Sequence, residues 1–429
     1  MIVQILAMLL FLLCLGIILL GKSHRTVVAW VGAVLMVILG KLFGVYDETR
    51  AIASIDFNTL GLLLGMMVLM ALFEPTGFIE FLAIWVAKLS RGRPVRLLVL
   101  LGTVTTIASM FLDNVTTVVL IAPVTILICE LVGLNPMLFL VAEAVLSNTG
   151  GASTLVGDPP NVLVASAAGF TFLDFLVYSM PIIFFCWIAA LWILGRFTRK
   201  DMGRKARKES SLEALNPREV LREPLAARKV LLVTGLAVLI FLFEEKLGMR
   251  PALVALGAAG LGLVWVRPDL DETLKRIPWD ILLFFTGLFA LIGGLEAVGV
   301  MEIAAGWIKG LANLPVVVAG VLMLWITALL SAVVDNIPIT IAIIPVLESL
   351  GRMGMDTQPL WWALVLGAGL GGNGTIIGAT ANVVVSSLSE KTRTPITSVY
   401  WMKRGFPVML VTCAVATIVY VIGFTWVFR

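Results

Sequence analysis

The sequence predicts an all-α integral membrane protein. About ten transmembrane helices and two re-entrant hairpins form two inverted repeats, with unwound, broken helices at the midplane. Three observations carry this prediction. Sixty per cent of the 429 residues are hydrophobic and only 14% are charged, whereas a soluble domain carries roughly a quarter of its residues charged. Lys and Arg gather in the loops of one side. The chain also repeats itself at a nearly constant offset.

The apolar stretches justify the elements in order. Ile2 to Leu20 approaches the roughly 20 residues needed to cross a bilayer. It lacks the basic n-region and small-residue cleavage site of a signal peptide, so it reads as the first membrane helix. Further membrane helices are expected near 26–45, 58–74, 137–168, 175–196, 229–244, 251–266, 280–298, 360–387 and 405–427. Two stretches, 97–131 and 315–350, are too long for one crossing and are interrupted at Asp113 and Asp335. They read as re-entrant hairpins that leave on the side they entered. With the N-terminus outside, one face then holds 24 of the 31 Lys and Arg, eleven of them between Arg196 and Lys229. The positive-inside rule assigns that face to the cytoplasm. The expectation is therefore a multi-pass protein of a cell (inner) membrane, with both termini outside and the 197–228 loop cytoplasmic. Making either hairpin a full crossing spoils the partition.

The polar 197–228 segment divides the chain into a first repeat, 1–196, and a second, 229–429. At an offset of 222, Glu74, Gly77, Glu80 and Trp85 pair with Glu296, Gly299, Glu302 and Trp307. Asp113-Asn114-Val115 pairs with Asp335-Asn336-Ile337, and Pro123 with Pro345. Further on the offset becomes 221, matching Gly150-Gly151, Thr154, Gly157 and Asn161 to Gly371-Gly372, Thr375, Gly378 and Asn382. The first copy starts outside and the second inside, so the repeats are inverted, a build shared by many secondary transporters. The Glu and Trp pairs read as amphipathic interfacial helices that join scaffold to hairpin, since Trp favours the membrane interface.

Irregular backbone at membrane depth survives only when buried in protein or lining a wet cavity. Four segments, in two matched pairs, break the helical pattern: the hairpin tips Asp113–Thr117 and Asp335–Thr340, and the runs Ser147–Asn161 and Gly371–Asn382. Their Gly and Pro would unwind a helix. The freed carbonyls, with Asn, Ser and Thr side chains, suit a small cation or a neutral polyol-like solute, and half-helix N-termini favour an anionic or hydroxylated one. The alternative is that these polar groups only cap broken helices. Asp113 and Asp335 are intramembrane carboxylates, functional by default, and burial would suit them to carry a proton; equally, each makes a good helix N-cap. Asp158 faces Ala379 across the repeat, which makes it the acidic group without symmetry and a coupling candidate, though Asp before Pro-Pro also forms turns. Glu143, in an apolar helix without a repeat partner, is either a proton site or a paired structural carboxylate.

Several readings are excluded. Gly16–Ser23 matches the phosphate-loop pattern letter for letter, but it lies in an apolar helix with no preceding strand, so it supports no ATPase. The basic linker follows from cytoplasmic loop bias and calls for no nucleic acid. Four isolated cysteines and a single histidine, His24, offer no disulfide frame or metal centre. No cofactor is expected, and no nucleophile–base constellation suggests an enzyme.

The segments Ser147–Ser166 (SNTGGASTLVGDPPNVLVAS) and Ser331–Ser387 (SAVVDNIPIT…LGAGLGGNGTIIGATANVVVSS) resemble the ion transporter superfamily. Within it they are similar to the arsenical-pump membrane protein (ArsB-type) and melanosomal P-protein branch. The resemblance implies a scaffold part and a transport part in each half, and elevator-like or rocking alternating access. It implies a substrate or ion site at Asp113, Asn114, Thr117, Ser147, Asn148, Thr149, Gly150, Asp335, Asn336, Asn373, Gly374, Thr375 and Asn382. Proton coupling falls to Asp113, Asp158, Asp335 or Glu143. The related sodium–dicarboxylate carriers pair two Ser-Asn-Thr motifs, but here the second copy reads Gly-Asn-Gly-Thr and no Arg or Lys lies near either motif. The expectation is proton-coupled efflux of arsenite or antimonite, uncharged hydroxylated solutes that need no cysteine cluster. Sodium/proton antiport and sodium-coupled dicarboxylate carriage are the alternatives. Membrane lipid is an expected partner, and the branch also allows a soluble ATPase.

Overall fold

The computed structural model describes residues 2–19, 23–202, 212, 215–300, 314–392 and 394–427. Every regular element among them is helical. The first half runs α1 (Ile2–Leu19), α2 (Arg25–Leu42), α3 (Phe57–Phe73), α4 (Phe78–Ser90), α5 (Pro94–Ser109), α6 (Asn114–Val132), α7 (Met137–Gly151), α8 (Pro159–Ala168) and α9 (Met180–Met202). The second half continues with α10 (Pro224–Phe241), α11 (Pro251–Val266), α12 (Trp279–Ala297), α13 (Val316–Val333) and α14 (Asn336–Arg352). It ends with α15 (Gln358–Gly371), α16 (Thr380–Ser389) and α17 (Ser398–Ile422). Eight helical segments among the described residues are long and apolar enough to cross a bilayer, and four shorter apolar ones accompany them. The ten expected crossings all fall on helices. Six of the eight coincide with expected crossings, and the other two are α6 and α13, which belong to the stretches expected to be hairpins. The remaining expected crossings are shorter helices, those at 137–168 and 360–387 because irregular backbone splits them.

Helix ends follow local chemistry. Asp113 accepts from the N–H groups of Val115 and Thr116 and so starts α6; Asp335 accepts from Ile337 N and starts α14. These caps satisfy amide groups that an apolar surround would leave unpaired. The helices of each interrupted stretch are thus separated by a few residues around the aspartate. The amphipathic helix expected from Glu80 and Trp85 is α4, with Trp85 exposed. Its counterpart, with Glu302 and Trp307, lies outside the described residues.

Packing is doubled and interleaved. Helix α2 lies along α12, and α11 along α3, so these helices of the two halves pair with each other. Helices α5 and α7 pack within the first half as α13 and α15 do within the second. The hairpin helices reach across: α14 packs on α8, and α6 on α16. Between apolar helices in lipid, close approach through small residues replaces hydrophobic burial as the main attraction. Gly150 of α7 abuts the Thr106 backbone of α5, and Gly371 of α15 abuts that of Ala328 in α13; a Cβ at either would collide with main chain. At one end, Trp362 of α15 is buried among rings of the first half, stacked on Phe170 at 4.4 Å and on Tyr178 at 5.3 Å.

Candidate functional site

Each half leaves the helix the same way. In the first, Asn161 of α8 folds its amide back onto the carbonyls of Gly151 and Thr154, at 2.9 and 2.7 Å. In the second, Asn382 of α16 does so to Gly372 and Thr375, at 2.7 and 2.8 Å. Thr154 donates to Met110 O and Thr375 to Ala332 O, tying each break to its hairpin. Ser109 donates to Ser147 O and Ser331 to Ala368 O, both at 2.8 Å. The carbonyls that the unwinding frees are therefore taken up by side chains, as buried backbone requires.

Between the two breaks four asparagines meet. Asn148 donates to the Oδ1 atoms of Asn373 and Asn382, each at 3.0 Å, and accepts from Asn114 Nδ2 at 3.2 Å. Asn373 Nδ2 lies 3.5 Å from Thr149 Oγ1, and its carbonyl accepts from Trp401 Nε1 at 3.1 Å. Ser147 Oγ donates to Asn114 O at 2.9 Å. All of these side chains are buried. The repeat places Gly369 where the first half has Asn148, so one central amide serves both halves.

The carboxylates divide by what they face. Asp158 is buried and does not cap its own helix, whose first residues are Pro159 and Pro160. It instead accepts from Asn336 Nδ2 at 2.8 Å, across the boundary between the halves. Asp113 caps α6 and accepts from Thr116 Oγ1. Asp335 accepts from Thr380 Oγ1 at 2.8 Å, and Arg25 Nη1 stands 4.0 Å from its Oδ2. The same guanidinium lies 3.9 Å from Asp280 and over the Phe284 ring at 5.5 Å. Glu143 is buried on α7, away from the amides; Thr125 donates to one oxygen and the other has no partner.

Of the expected site residues, Asn114, Ser147, Asn148, Thr149, Asn373 and Asn382 come together, and Asn336 joins Asp158 instead. Thr375 faces the hairpin backbone, Gly150 and Gly374 are points of close approach, and Thr117 is buried with an unpartnered hydroxyl. Arg25, distant in sequence, was not among the expected residues; it reaches the tip of the second hairpin at Asp335 rather than either of the two asparagine motifs. Also missed were Ser109, Ser331, Thr380 and Trp401. Ser109 and Ser331 stand at the repeat offset, and that signal was open to reading. Among the described residues no group of His, Cys, Asp and Glu is arranged to hold a metal ion.

Residues 15–367 match the family described as "Citrate transporter" (CitMHS). A 46 kDa membrane protein of Mycobacterium leprae is 36% identical over 418 residues, covering 97% of this chain and 97% of its own length. The P protein of Homo sapiens is 33% identical over 475 residues, covering 91% of this chain and 56% of its own. Among solved structures, the YdaH transporter of Alcanivorax borkumensis superposes with a TM-score of 0.65 at 16% identity, over 94% of this chain and 99% of that one. That last likeness is one of fold.

Proposed function

This chain belongs to the citrate transporter family of the ion transporter superfamily, with P proteins among its relatives and the arsenical-pump proteins as a sibling branch, and from that membership we propose a secondary active transporter working by alternating access. The inverted repeats, 1–196 and 229–429 joined by a cytoplasmic 197–228 segment, would expose one site in turn to the two sides of a cell membrane. The asparagine cluster holds the solute, and Asp158 carries the coupling proton.

The observation that carries this reading is the bond between Asp158 and Asn336. As a carboxylate, Asp158 only accepts hydrogen bonds, and the Asn336 amide supplies one. A proton arriving on Asp158 weakens that charge-assisted bond. The second hairpin tip is thereby loosened from α8 at the place where the two halves meet. Proton binding and tip movement become one event.

Amides and hydroxyls both donate and accept, which suits a small uncharged hydroxylated solute such as arsenite or antimonite, exported as protons enter. A second reading, carriage of a citrate-like carboxylate, is favoured by Arg25 at the hairpin tip. Sodium/proton exchange would use the same oxygens. A soluble ATPase is not needed in any of these schemes. The test is a solute panel on the full chain in proteoliposomes with an internal pH dye. Proton movement on adding arsenite, lost in Asp158→Asn, is the expected result. Movement with citrate alone moves the assignment to the second reading, and movement with sodium alone replaces both.

A further inference from the structure

We propose that the groove between the basic ends of α5 and α9 binds the phosphate headgroup of an anionic phospholipid. Two cavities of about 1000 and 490 Å³ run along this groove and share Val95, Val99 and Arg199. Five cations line them: Arg93, Arg96, Arg196, Arg199 and Lys200. All five are exposed, and none pairs with an acidic group among the described residues. The neighbouring acid, Asp201, is already held by Arg404 at 2.6 Å. Arg404 is fixed in turn by the rings of Phe197 at 4.8 Å and Tyr400 at 5.6 Å.

Cytoplasmic charge bias accounts for basic residues on this face, but not for their convergence on one cleft. Five like charges in one groove repel each other, and a bound anion relieves that repulsion. The start of α5 adds the positive end of a helix dipole. Away from the cations the walls are apolar, formed by Val95, Val99, Leu191 and Trp192. Arg196 lies 4.7 Å over the Trp192 ring, which is itself 58% exposed. A charged mouth above an apolar wall matches a headgroup with its acyl chains, and basic pockets between membrane helices on this side recognise such lipids. A free phosphate ion would use the mouth and leave the wall bare.

The test is native mass spectrometry of the full chain in detergent, titrated with cardiolipin, with phosphatidylcholine and with inorganic phosphate. Cardiolipin is expected to be retained, and each cation removed is expected to weaken it about fivefold. Arg96→Gln with Arg199→Gln should therefore lower retention by about 25-fold, while Arg96→Lys with Arg199→Lys keeps it. Arg267→Gln with Lys391→Gln removes equal charge elsewhere on the predicted cytoplasmic face and should change little. Equal loss in that control, equal retention of phosphatidylcholine, or displacement by millimolar phosphate would each overturn the proposal.

Discussion

Asn148 shows what a single residue does here. Among the described residues, its amide is the one group bonded to the first hairpin tip and to both asparagines of the second half's broken helix. Asn148→Ala should leave buried amides unpaired, at about 1–3 kcal/mol each. We expect a lower melting temperature in detergent and loss of transport; an unchanged rate in proteoliposomes would remove the cluster from the site. Glu244 makes a second case; α10 ends at Phe241, short of the expected 244, which leaves this residue between that span and α11. One of its oxygens accepts from Phe172 N at 3.0 Å and the other is buried without a partner. Burial raises its carboxyl above the ordinary value, and the Phe172 amide pulls the other way. The folded protein therefore holds this proton more firmly than the unfolded chain does. Stability should fall as pH rises from the ordinary carboxylate range through the raised value. Glu244→Gln should flatten that dependence, measured by thermal melts across pH. The asparagines were legible in the sequence as residue types that apolar helices rarely carry. Their partners were not, because Asn148 and Asn382 lie far apart along the chain.

At the scale of elements, the breaks were legible and their mechanics were not. Gly, Pro and Asn mark where helices unwind, and the aspartates mark where the hairpin helices restart. Only the packing shows that Gly150 and Gly371 also serve as points of contact. Gly371→Ala would drive a methyl into the Ala328 backbone, and overpacking of this kind costs about 1–3 kcal/mol. Gly257→Ala meets nothing within 4 Å and should gain up to about 1 kcal/mol from helix propensity. Opposite shifts in melting temperature for the two variants are expected. A matching shift in both would mean that α15 does not press on α13. The aspartates divided in a way their sequence did not show. Asp113 caps its helix, while Asp158 precedes two prolines that lack an N–H to cap and so turns to Asn336 instead.

Across the whole molecule, the two halves match in build but not in arrangement. Arg25 with Gly32 recurs as Arg250 with Gly257, and Asp280 recurs as Asp56. Arg25 bridges Asp280 of the scaffold and Asp335 of a hairpin tip, whereas Arg250 makes no ion pair among the described residues. Alternating access in inverted repeats exchanges the arrangements of the two halves. In the opposite state Arg250 is expected to bridge Asp56 and Asp113. Arg25→Cys with Asp335→Cys should be bridged in one state by a bifunctional thiol reagent about as long as an arginine side chain, since the two backbones stand too far apart for a direct disulfide, and Arg250→Cys with Asp113→Cys in the other. A second pair that never cross-links while transport proceeds would sink the exchange.

Composition, charge bias and the recurring offset by themselves determined the membrane setting, the helical class, the two-copy order and the positions of the breaks. These are local or periodic properties, written along the chain. The tertiary structure decided which groups meet: Asn148 with two asparagines of the other half, Asp158 with Asn336, and Arg25 with Asp335. Those contacts exist because α14 crosses onto α8 and α6 onto α16, and because the two scaffolds interleave. No local pattern encodes that crossing, since the residues it joins are separated by most of a repeat or more.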